Sequence, residues 1–67
     1  MKEAEKEVAR AITEDWCDPD SLHKAAVTFG ATALECLQGK HLRAAMNVAI
    51  AICEYSHIWK VQEEEKP

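Results

Sequence analysis

Sixty-seven residues with eight Lys and Arg against twelve Asp and Glu give a formal charge of -4 and room for one domain. A folded chain of this size hides only about 60% of the surface its unfolded form exposes, so its core is marginal unless a disulfide, a metal or a partner chain adds to it. Cys17, Cys36 and Cys53 are odd in number and evenly spread, which predicts free thiols in a cytoplasmic protein and argues against a disulfide framework.

The opening MKEAEKEVAR alternates charge and lacks the apolar run of a secretory signal. Instead Ala4, Val8, Ala11, Ile12 and Trp16 recur at helical spacing, predicting an amphipathic helix over about residues 2-16. Its charges offer only exposed, weak attractions, so contact through the apolar stripe must supply most of its stability.

CDPDSL marks a boundary. Asp18 is a good N-cap, Pro19 suits the first helical position and Asp20 favours the positive end of a helix. A second helix is therefore expected over about 19-38, with Leu22, Ala26, Phe29, Ala33 and Leu37 on one stripe and Val27, Ala31 and Leu34 broadening it. Gly30, beside Ala26 and Ala33, is expected to allow a close helix approach. Gly39 suits the left-handed conformation of a C-cap and should end this helix.

A third helix is predicted over about 40-61, followed by an acidic flexible tail at 63-67, so the single helical domain spans 1-62. The expected fold is all-α: a long antiparallel helical hairpin plus an N-terminal helix. AAMNVAIAICEYSHIW, at 44-59, is the apolar centre of the third helix, but Asn47, Glu54 and His57 interrupt it too often for a membrane span. Projection at about 100° per residue puts Leu42, Ala45, Met46, Ala49 and Cys53 on one side and Ala44, Val48, Ile52, Tyr55 and Trp59 on another.

Two short neighbours cannot easily cover both sides. Apolar surface is therefore expected to remain for a homodimer, with Val48, Ile52, Tyr55 and Trp59 as its seam or a partner's and the other side toward its own chain, or with the two sides exchanged. The competing arrangement closes Tyr55 and Trp59 against Trp16 and Phe29 within one chain.

Each cysteine is followed by a histidine, but only Cys53 and His57 share a helix face, and two ligands do not make a zinc site. The same pair is the sole sequence-local nucleophile and base, and a thiol on an apolar face should be inert. We expect no enzyme, no cofactor and no metal.

Lys40, His41 and Arg43 gather where the third helix starts, although cations there oppose the helix dipole. With Asn47 they are candidate contacts for an anion or an acidic partner. A helix-turn-helix DNA-binding regulator is the alternative reading, with Asn47 as base reader. Charge argues weakly against it: residues 1-20 carry three positive and seven negative groups, and the mildly basic middle is flanked by acid.

The stretch EDWCDPDSLHKAAVTFGATALECLQGKHLRAAM, 14-46, resembles the very small accessory proteins of lambdoid bacteriophages encoded between the exonuclease and excisionase genes. The resemblance covers about half the chain and rests on size, helicity and general wording. It implies an early phage protein that binds host or phage proteins inside a bacterium and influences the choice between lysis and lysogeny. It carries over no catalytic residue.

Overall fold

The computed structural model describes residues 3-65 and contains three helices, α1 (Glu3–Glu14), α2 (Pro19–Cys36) and α3 (Gly39–Glu65). The all-α expectation holds. None of the helices is long and apolar enough to cross a membrane. The ends expected at residue 2 and at 66-67 lie outside the described residues.

The turn into α2 follows its sequence signals. Asp18 is extended at φ -151° and ψ 154°, and its carboxylate accepts the Ser21 backbone N-H at 2.8 Å and the Ser21 hydroxyl at 3.0 Å. Pro19 occupies the first turn, where a missing N-H costs nothing. The Ser21 backbone donor is the main cause that holds the Asp18 carboxyl below the ordinary value of 3.8, with the Ser21 hydroxyl second. A lowered folded-state pKa stabilises the fold above the unfolded value and loses that contribution as pH falls through the folded one. Asp18→Asn, whose cap does not titrate, should therefore flatten the acid limb of helicity below about pH 4 in a circular dichroism titration. An unchanged limb would assign acid unfolding to other carboxylates.

The second turn uses its glycine differently from the expectation. α2 ends at Cys36, and Leu37 is an extended C-cap whose N-H returns to the Ala33 carbonyl. Gly39 does adopt a left-handed φ of 58°, but as the first residue of α3, where the Leu42 N-H reaches the Gln38 carbonyl at 3.3 Å. The reversal is completed on the α3 side because Leu37 leaves α2 in an extended conformation.

From this turn α2 and α3 run antiparallel. Gly30 faces Met46 and Ala49 midway along, and at the far end Lys60 Nζ lies 3.0 Å from Asp20 Oδ1. A β-carbon built at Gly30 sits 3.7 Å from Ala49 Cβ and 3.8 Å from Met46 Cε, ordinary van der Waals contact. An alanine therefore fits, and the close approach does not require glycine. Gly30→Ala should stabilise the protein by about 0.5–1 kcal/mol through helix propensity, while Gly39→Ala, forced to a positive φ, should cost about 1–2 kcal/mol. Urea midpoints for the pair should move in opposite directions.

Leu22, Ala26, Gly30 and Ala33 form the buried edge of α2. Phe29 and Leu37, expected on this stripe, are exposed. Small residues at 26, 30 and 33 draw α3 close, so the contact line runs through them and turns the larger Phe29 outward.

α1 is likewise rotated from its expected stripe. Ala9 is fully buried and Ile12 packs beside it, whereas Ala4, Val8, Ala11 and Trp16 are exposed. A single methyl at Ala9 lets α1 approach α3, and the helix stops at Glu14, leaving Trp16 in the linker. Thr13, also on the packed side, satisfies its hydroxyl by donating to the Ala9 carbonyl at 2.8 Å.

The core thus forms around α3, with α1 and α2 each packed against it. Its buried members are Ala9, Leu22, Ala26, Val48, Ala51 and Ile52, with Ile12, Cys53, Tyr55 and Trp59 against them. α3 continues as helix to Glu65, past the expected end near 61 and into the first part of the expected tail. Two contacts favour this extension against the unfavourable dipole of its glutamates: the Lys60 to Asp20 pair and the Trp59 indole N-H donated to Glu63 at 3.2 Å.

Candidate functional site

α3 divides its apolar residues between two nearly opposite sides. Val48, Ile52, Tyr55 and Trp59 fall within about 60° of one another on the helical projection and face the core closed by α1. Met46, Ile50, Cys53 and His57 form a similar cluster almost diametrically across the helix, and they line an open groove of about 800 Å³ between α3 and α2.

The four residues expected as a seam are therefore used inside the chain. Val48 and Ile52 are buried, and Tyr55 and Trp59 are half-buried against them. The cause is α1, which folds onto that side of α3. The aromatic pairing considered with Trp16 and Phe29 is also replaced: those two rings are exposed and share a shallow depression with Ser21, Lys24, Ala25 and Thr28.

The groove has a small-residue floor and large rims. Ala26, Gly30 and Ala49 are buried at its base; Val27 and Leu34 rise from α2, and Ile50 and Ile58 from α3. Leu34 is 62% exposed and Ile58 52%. Val27, Ala31 and Leu34 broaden the α2 stripe in the sequence, but local spacing alone does not join them to α3. The signal for joining them was the antiparallel register, which pairs residues near 30 with those near 49.

Cys53 and His57 lie together on the groove wall, and among the described residues Glu54 is the other polar side chain lining it. Cys53 is half-buried and carries a free thiol, as do the exposed Cys17 and Cys36. Among the described residues no group of three or more His, Cys, Asp and Glu side chains is placed to hold a metal ion. Ser56, one turn along, is buried against α2 and donates its hydroxyl to the Cys53 carbonyl at 2.8 Å, so its polar atom makes no demand on the groove.

Lys40, His41 and Arg43 are exposed on the first turns of α3, with Asn47 half-buried beyond them. Lys40, Arg43 and Asn47 share a face by spacing, and His41 lies about a quarter-turn or more away from it. Their helix lies alongside α2 for the whole length of that element, from the Leu37 turn to the Asp20 to Lys60 pair. Helix-turn-helix recognition uses a second helix crossing the first at about 90–120°.

Compared with models of known protein families, with curated proteins and with solved structures, the chain matches none.

Proposed function

We propose that this chain is a small non-enzymatic interaction module that acts by docking a polypeptide in the α2/α3 groove. One observation carries the reading: an apolar trough runs along a helical hairpin, floored by small residues and rimmed by Val27, Leu34, Ile50 and Ile58. Contiguous apolar surface of this kind marks an interaction site, and a small floor between large rims accepts the side chains of another helix. Lambdoid accessory proteins, which the stretch 14-46 resembles, supply the setting: a cytoplasmic phage protein that contacts host or phage regulators and biases lysis against lysogeny.

Photo-crosslinking in bacterial cells tests the groove. With p-benzoylphenylalanine replacing Ile58, irradiation should yield covalent protein adducts. The same group at Glu35, exposed on α2 but outside the groove lining, should yield few. Equal yields at both positions would remove the docking role from the groove.

A further inference from the structure

We propose that the occupant of the α2/α3 groove is the same groove of a second copy, the two hairpins closing into a two-fold four-helix core with each α1 on the outside. The inference rests on the reading of the groove as a docking surface and names what fills it.

Area supports a second copy. The chain exposes 5052 Å². A compact folded monomer of 7.5 kDa exposes about 4,250 Å² by the usual scaling with mass. The excess, about 800 Å² per chain, belongs to the elongated molecule as a whole and is comparable in size to what each partner of a standard-size interface buries.

Shape points the same way. The molecule measures 45 × 23 × 16 Å, with a radius of gyration of 12.4 Å; a compact chain of this length has about 11 Å. Domains are built of packed layers around one core. Here α1 covers one side of α3, while among the described residues no element covers the groove on the other side.

Chemistry makes the surface self-complementary. A two-fold contact places the same patch on both sides, so the patch must supply both projections and recesses. Leu34 and Ile50 supply projections, and Gly30 and Ala49 lie recessed between them. The patch carries little charge although the chain has a formal charge of -4, so pairing it buries few charged groups. Its polar side chains are Cys53, Glu54 and His57, and the last two are exposed at the groove's edge, where they can stay in contact with water on pairing.

Sedimentation equilibrium of the full chain from about 1 to 500 μM, with circular dichroism as the folding control, tests the proposal. The expected mass at high concentration is about 15 kDa, twice that of the chain. Leu34→Glu and Ile50→Glu, each at an exposed position, should retain helicity and weaken association by about thirty-fold or more. Phe29→Ser, exposed but outside the groove, should leave it unchanged. Thiol labelling gives an independent readout: Cys53 should become protected as concentration rises, while the exposed Cys17 and Cys36 stay reactive.

A monomer persisting at 500 μM overturns the proposal, as does a dimer indifferent to both glutamates with Cys53 still reactive. The crosslinking experiment separates the two levels of failure. A monomer whose residue 58 still captures a different protein in cells retains the docking groove and loses only the self-pairing. A monomer with no groove-specific adduct loses both.

Discussion

Leu22→Ala should remove about 3 kcal/mol of stability, a large part of what this chain possesses. Leu22 is 0% exposed and belongs to the core cluster shared by all three helices. Truncating a fully buried leucine loses the transfer free energy of its side chain and leaves a cavity, together about 2–5 kcal/mol. Folded domains hold roughly 0.05–0.15 kcal/mol per residue, which for a chain this short is about 3–10 kcal/mol in all. Urea unfolding followed at 222 nm should show the midpoint collapsing, or no folded baseline in the variant. Val27→Ala, five residues further along α2 and 56% exposed, is the control. In dilute solution it should change stability by less than about 0.5 kcal/mol, because it opens no cavity and gains helix propensity. Similar losses from both would mean that α2 presents a different edge to α3.

The contrast between Leu22 and Val27 shows where sequence periodicity carries information and where it stops. Asp18, Pro19 and the glycine at 39 are local devices whose chemistry depends on a few neighbouring residues, and they marked both turns. Helix existence followed from the same local logic. The rotation of each helix about its axis did not, because it depends on how near a neighbour can come. Phe29 scores as core by apolarity, yet Ala26, Gly30 and Ala33 define the contact line because small residues let α3 approach. Ala9 displaces Val8 on α1 for the same reason. Hydrophobicity ranks side chains by their gain on burial, whereas close packing of short helices selects those with little bulk.

That distinction also explains the site. The excess of apolar surface on α3 was legible in Ala44 to Trp59, since more than half the helix circumference is apolar. Which side remained open depended on the placement of α1, a long-range contact with no local signature. α1 takes the side of Val48, Ile52, Tyr55 and Trp59, leaving Met46, Ile50 and Ile58 as the α3 wall of the groove. The basic cluster at Lys40, His41 and Arg43 was visible in sequence but does not line the groove.

Two isoleucines six residues apart on α3 should therefore respond to truncation in different ways. Ile52 is 3% exposed in the core, and Ile52→Ala should cost about 2–5 kcal/mol at every protein concentration. Ile58 stands half-exposed on the groove rim, and Ile58→Ala should stay within about 0.5 kcal/mol of the parent in dilute solution. Its effect should emerge with concentration. A self-associating fold gains stability by mass action, so the thermal midpoint of the parent should climb from low to high micromolar protein. Ile58→Ala should flatten that climb, whereas Ile52→Ala should start lower and retain a concentration-dependent slope wherever it remains folded. Differential scanning calorimetry across this range separates the two roles, because packing within a chain is blind to concentration and packing between chains is not. Equal destabilisation in the dilute limit would place Ile58 in the intrachain core and close the groove from within.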